Sequence, residues 1–183
     1  MTRRRVEAAA LAALMATASG CATRPPQAGD EVLSGRLQVS VDATAAQPGR
    51  SLTAAFELRG DAEHGELQLA TPLGMVLASA RWAPGSAVLA TSGGPTTTFE
   101  DLDALSREAL GEALPLRALP DWLRGRPWPG APSQPTQPPR EPGFEQLGWS
   151  VGLARFAEGW VLARRENPPA VTVRARMDRD SCA

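Results

Sequence analysis

The chain has 183 residues, is 43% hydrophobic and carries a net charge of −1, which describes one domain with an ordinary core and no room for a second large one. All 19 basic residues are Arg, Lys and Tyr are absent, the only His is His64 and the only cysteines are Cys21 and Cys182. That inventory excludes Schiff-base chemistry, a P-loop lysine, a His/Cys zinc cluster and a two-His metal site, and balanced charge with 5% aromatic residues argues against a nucleic-acid surface.

Residues 1–20 have the three parts of an export leader. Arg3, Arg4 and Arg5 form a positive start, Val6 to Ala18 is largely apolar and interrupted by Glu7, and the small residues Ala18, Ser19 and Gly20 run up to Cys21. The apolar stretch is shorter than the roughly 20 residues a membrane-spanning helix needs. Small residues immediately before a cysteine resemble the lipobox of bacterial lipoproteins, in which that cysteine receives a diacylglycerol and then an N-acyl chain. The alternative is an ordinary leader followed by an incidental cysteine. On the lipobox reading Cys21 is the lipidation site, and three acyl chains at roughly 0.8 kcal/mol per buried methylene give a lasting anchor where one is marginal. Ala22, where an Asp would favour the inner membrane, then resembles the outer-membrane type. Cys182 is left without an intramolecular partner and reads as a free thiol.

Residues 21–34 read as a lipidated tether, polar and Pro-containing from Thr23 to Asp30. A domain over residues 35–180 follows, opening with a period of two. Leu37, Val39 and Val41 alternate with polar residues, as do Leu52, Ala54, Phe56 and Leu58, and then Leu67 and Leu69, the pattern of strands with one apolar and one wet face. Val76 to Ala83 and Ala87 to Thr91 continue the series, and turns at Gly60-Asp61 and Pro84-Gly85 predict an antiparallel meander. Glu100 to Leu110 changes to helical spacing with acidic residues in the first turn. A second short helix is expected over Leu116 to Leu123, bent or shortened by Pro120. The loop over residues 126–142 holds seven prolines, a density that forbids helix or central strand. Strands return at Leu147 to Leu153, Gly159 to Arg164 and Val171 to Met177. The expected fold is mainly β: one curved, partly closed antiparallel sheet or barrel with short helices over its apolar face. Its interior is either a filled core or a cavity, since periodicity does not distinguish them.

No constellation of reactive residues accompanies this pattern. Asp101/Asp103 sit at a helix start and Asp178/Asp180 near the C-terminus, where capping and solvation explain them. His64 lies in a polar turn, and Ser92-Gly93-Gly94 lacks the helix start a phosphate cradle needs. The reading is that the chain is not an enzyme and holds no metal or cofactor. One connection is unusual: Thr71-Pro72-Leu73-Gly74-Met75 joins two strands with an apolar tip. Leu73 either projects as a small contact patch for a membrane or partner, or folds back onto the sheet.

Gly65 to Gly74 followed by Ala83-Pro84-Gly85, then Thr98 to Leu110 and Leu114-Pro115-Leu116 running to Trp122-Leu123-Arg124-Gly125, resemble in order and spacing the outer-membrane lipoprotein receptor family LolB, from about Gly35 to Met177. The resemblance implies an open antiparallel β-barrel closed by helices over an apolar cavity. It further implies acceptance of acylated lipoproteins from the periplasmic carrier LolA and their insertion into the outer membrane, at whose periplasmic face the chain is lipid-anchored. Partners are then the carrier, the acyl chains of cargo and outer-membrane lipid, with no nucleic acid and a monomeric state. Cys21 matches the lipidation site, and Leu73, flanked by Pro72, Gly74 and Met75, matches the exposed residue of the family's membrane-delivery loop. Strand alternation nominates Leu37, Val39, Phe56, Leu58, Leu67, Leu69, Trp82, Trp149 and Val151 to line or underlie the cavity. The Pro-rich loop departs from the family pattern. Two rival readings are an outer-membrane-anchored lipid-binding barrel and a structural assembly lipoprotein with a filled core.

Overall fold

The computed structural model describes residues 31–45 and 47–178. The expected leader, the lipidation site Cys21, most of the tether and Cys182 lie outside the described residues.

Six strands follow one another as a meander: β1 (Val32–Val41), β2 (Arg50–Gly60), β3 (Gly65–Ala70), β4 (Val76–Ala83), β5 (Ser86–Thr91) and β6 (Thr97–Phe99). Two helices, α1 (Leu102–Leu110) and α2 (Leu119–Leu123), then interrupt the sheet. The chain returns through β7 (Ser133–Pro135), β8 (Gly143–Gln146), β9 (Trp149–Gly152), β10 (Trp160–Arg165) and β11 (Val171–Met177). All eleven strands form one sheet in the order β6-β5-β4-β3-β2-β1-β11-β10-β9-β8-β7, with every pairing antiparallel. The last strand therefore lies beside the first, in register from Gly35↔Met177 to Val41↔Val171. Among the described residues no pairing joins β6 to β7, so the sheet is open and the helices occupy the crossing between its edges.

Local chemistry explains these elements. On β1 and β2 the apolar residues Leu33, Leu37, Val39, Phe56 and Leu58 are buried while Arg36, Glu57 and Arg59 are exposed, the alternation a half-buried strand requires. Gly60, at φ +93°, takes a left-handed conformation that favours glycine, and Gly65 has no space for a Cβ beside the Trp82 indole. The Asp61 carboxylate accepts from the backbone N–H groups of Glu63 (2.8 Å) and His64 (2.9 Å), closing this turn. Helix α1 starts at Asp101, whose side chain accepts from Ala104 N at 2.7 Å, and ends at left-handed Gly111, a cap at each terminus.

Several boundaries differ from expectation. The strand β1 begins at Val32, inside the expected tether. The second helix covers only Leu119–Leu123; before it, turns formed by Leu116 N to Leu114 O and Ala118 N to Pro115 O carry the chain. Pro120 sits in the first turn, where its missing N–H removes no helical bond. The strand expected from Leu147 to Leu153 is confined to Trp149–Gly152: Leu147 (φ 54°) and Gly148 (φ 76°) form the two-residue turn that joins it to the unexpected strand β8, and Leu147 is exposed. Positive φ at both positions suits the right-handed strand twist. Within the Pro-rich loop, Ser133–Pro135 joins the sheet as its outermost strand, the location that tolerates a residue with no N–H to donate. Strand β6 was not expected from the sequence; three residues are too few to show a period.

Candidate functional site: an apolar cavity and an exposed loop

The concave face of the sheet and the two helices enclose a cavity of about 280 Å³. Its floor comes from inward residues of β1 to β5 and of β9 to β11, and its roof from Leu105 and Ala109 of α1, the segment Leu114-Pro115-Leu116, and Leu119, Trp122 and Leu123 around α2. Among the described residues, Thr91 and Ser106 are the polar side chains on the lining. The Ser106 hydroxyl donates to Asp103 O (3.1 Å) and accepts from Leu114 N (3.0 Å), which leaves the interior surface almost wholly hydrocarbon. An apolar void stays dry because a water inside it has no polar partners, and one of roughly 150 Å³ accommodates a benzene-sized guest. The chemistry available here is burial of apolar chains.

Of the residues nominated from alternation, Leu37, Val39, Phe56, Leu67, Leu69 and Trp149 stand on the lining. Leu58, Trp82 and Val151 are buried in the surrounding core but outside it. Trp82 is held beyond the cavity by the Asp61 turn, to whose carbonyl its indole N–H donates at 3.0 Å. Leu67 and Leu69 are half-buried although they face inward, as expected of side chains against an opening instead of against other side chains. The helical roof was expected, but none of its lining residues, such as Leu105, Leu116 and Trp122, was among those nominated. The apolar stripe of α1 was visible, but nothing local distinguishes a stripe that fills a core from one that covers a void. Val173 and Ala175 also line the cavity; their alternation was legible, their position beside Val39 and Leu37 was not.

Two polar devices hold the roof. The Arg165 guanidinium donates to Glu112 Oε2 at 2.7 Å and to Pro169 O at 3.1 Å and lies 5.6 Å from the Trp149 ring centroid. This ties the exit of α1 to β10. At the other end, the buried Gln146 side chain accepts from Trp122 Nε1 (2.8 Å) and Trp128 N (2.9 Å) and donates to Trp128 O (2.7 Å) and Ala131 O (2.8 Å). Trp122 also meets Trp149, with ring centroids 6.1 Å apart, and the edge of Phe144 at 6.4 Å.

The connection from Thr71 to Met75 is a compact turn. Thr71 N donates to Met75 O (2.8 Å), Gly74 N to Thr71 O (2.9 Å) and Met75 N to Thr71 Oγ1 (3.1 Å). Gly74 takes φ +85° with open space around it. Leu73 is 96% exposed and Met75 65% exposed, so Leu73 projects and does not fold back onto the sheet. Pro72 and Gly74 are exposed beside it.

Comparison with known proteins is consistent along the chain's length. The model of the family described as "Outer membrane lipoprotein LolB" matches residues 33–178. The chain is 35% identical to the outer-membrane lipoprotein LolB of Bordetella parapertussis, across 90% of this chain and 88% of that one. It is 32% identical to the protein of that name from Bordetella petrii, across 88% and 84%, and 31% identical to the one from Chromobacterium violaceum, across 85% and 84%.

Proposed function

The chain belongs to the outer membrane lipoprotein LolB family, and from that membership we propose that it is the receptor that accepts acylated lipoproteins from a periplasmic carrier and inserts them into the outer membrane. In this reading Cys21 carries the lipid anchor, residues 21–34 connect it to the sheet, and the domain works as a monomer without chemistry of its own. The observation that carries the proposal is the nearly all-hydrocarbon cavity beneath the helices.

Energetics supply the rationale. Acyl chains cost roughly 0.8 kcal/mol per methylene in water, so cargo does not cross the periplasm unshielded and must pass from one apolar interior to another. At about 280 Å³ the cavity holds on the order of a dozen carbons, scaling from the roughly 150 Å³ that takes benzene. A complete set of acyl chains therefore requires the roof of α1 and α2 to yield. Direction follows from differential affinity along the route, with the carrier LolA as donor and the bilayer as the final apolar phase. The projecting Leu73 then disturbs or enters the receiving leaflet.

The test mixes the purified chain with carrier loaded with labelled lipoprotein, then with lipid vesicles. Transfer from carrier to chain and on to vesicles is the expected result. Uptake of lipid without acceptance from the carrier replaces the proposal with a lipid-binding barrel, and no uptake of either replaces it with a structural role.

A further inference from the structure

The outer face of the sheet carries a charge pattern that lipoprotein transfer does not use. Arg36 on β1, Arg174 and Arg176 on β11 and Arg164 on β10 are all exposed, on the side opposite the inward residues Leu37, Val173, Ala175 and Ala163. Register makes them one cluster. Arg36 stands directly across from Arg176, Arg174 is two residues along the same strand, and Arg164 pairs with Thr172 next to it. Like charges directly opposite on neighbouring strands destabilise a sheet, and no ion pair relieves these four among the described residues. Glu57 and Asp178, at the margin, are engaged by Arg59 (3.5 Å) and the Ser34 hydroxyl (3.2 Å). Trp160 lies within the cluster, its ring 5.6 Å from the Arg176 guanidinium and 5.4 Å from that of Arg155, and Leu162 is exposed beside Arg174. In a chain of net charge −1 this face is locally cationic with an amphipathic aromatic at its edge.

We propose that this arginine face of β1, β11 and β10 rests on anionic lipid headgroups of the leaflet in which the chain is anchored. The proposal depends on the reading that Cys21 carries the anchor. Nine residues lie between Cys21 and Glu31, where the described chain begins, and the ten steps they make span at most about 35 Å. Arg36, the fifth residue of β1, lies about 17 Å further along. The tether thus keeps the patch within about 50 Å of the bilayer, and the raised effective concentration strengthens a weak attraction. Each arginine close to an anionic surface strengthens association about fivefold, and four act together. The row of Arg36 also contains Ala55 and Ala70, and Ala70 is where the chain leaves the sheet for the Leu73 turn. The apolar tip and the cationic face are therefore two strands apart, a combination suited to an interface with lipid.

Arginine footprinting on the full lipidated chain tests this without cargo or carrier. The protein is reconstituted in vesicles of phosphatidylcholine alone or mixed with phosphatidylglycerol, treated with phenylglyoxal and read residue by residue by mass spectrometry. Arg36, Arg164, Arg174 and Arg176 are expected to react at least about threefold more slowly on the anionic vesicles, with the difference abolished at about 0.5 M salt. Exposed Arg107 on α1 should react equally on both. In the double variant Arg174→Gln/Arg176→Gln the lipid dependence at Arg36 should disappear. Equal rates at the four arginines on both vesicles overturn the proposal, as does protection that appears only on adding an acidic protein. Flotation separates the outcomes: protein that does not float with vesicles overturns the anchor at Cys21 and this proposal together. Protein that floats without the lipid-dependent footprint overturns this proposal alone.

Discussion

Gln146 is a buried amide at 2% exposure whose four hydrogen bonds connect β8 to α2 through Trp122 and to the following loop through Trp128 and Ala131. Nothing in its neighbourhood in sequence reveals this, because an isolated Gln between Glu145 and Leu147 reads as an ordinary wet residue. Gln146→Leu keeps the volume but leaves the Trp122 indole N–H and three backbone groups without partners. Each such loss costs about 1–3 kcal/mol where water cannot substitute, so a net loss of about 3 kcal/mol is expected, seen as a fall in Tm of about 10 °C. Asp61 makes a pH-dependent contribution. Backbone donation from His64, then from Glu63, holds its carboxyl below the ordinary value of 3.8 against the opposing effect of burial. A depressed carboxyl contributes stability that is fully present above the unfolded value and is lost as pH falls through the folded one. Asp61→Asn should therefore flatten the fall in stability below about pH 4, measured by urea unfolding at a series of acidic pH values.

At the level of elements, the ion pair between Glu112 and Arg165 is the contact through which α1 is fastened to the far half of the sheet. Both side chains are mostly buried, at 21% and 18% exposure, so the pair escapes much of the screening that weakens surface bridges. Glu112→Gln should cost about 1–2 kcal/mol, because the Arg165 charge stays behind mostly buried, and should speed exchange of a fluorescent acyl probe by loosening the roof. A changed Tm with unchanged exchange would limit the pair to stability. The Thr71–Met75 turn behaves differently. Its hydrogen bonds come from Thr71 and the backbone, and Leu73 touches water, so Leu73→Glu should leave Tm within about 0.5 kcal/mol equivalent. Cargo uptake should persist while delivery from chain to vesicle falls at least about tenfold, as expected for a charge that resists entering a bilayer. The turn's apolar tip was legible in the residues themselves; its projection was expected only from the family resemblance, since a Leu between Pro and Gly packs inward or outward according to what lies beneath. The Pro-rich loop shows the converse. Its prolines correctly exclude helix and central strand, yet do not reveal that Ser133–Pro135 completes the sheet edge.

For the whole molecule, the proposed function rests on the space left between sheet and helices. Ala78 lies on the lining, and Ala78→Trp should occupy that space while leaving the strand pairings of β4 intact. Acyl-probe affinity is expected to fall at least about tenfold, the equivalent of about 1.4 kcal/mol, with circular dichroism unchanged. Unchanged affinity in a folded variant would show that the chains bind outside the cavity. The filled-core and cavity alternatives left open by alternation meet here. Side chains of β3 that face inward but remain half-buried mark where packing stops.

By itself the sequence determined the all-antiparallel sheet, the interruption by helices and the inward faces of most strands, because these follow from period and turn residues, and its lack of Lys with a single His excludes Schiff-base, P-loop-lysine and two-His metal chemistry. Only the tertiary structure decided that β11 closes beside β1, that Leu58, Trp82 and Val151 lie in core outside the lining, and which residues of α1 and α2 roof the void. It also decided that arginines distant in sequence, Arg36 and Arg176, meet on one face. The physical reason is that periodicity records which side of an element is apolar, whereas a cavity, a latch or a charged face depends on the distance between elements, which packing alone sets.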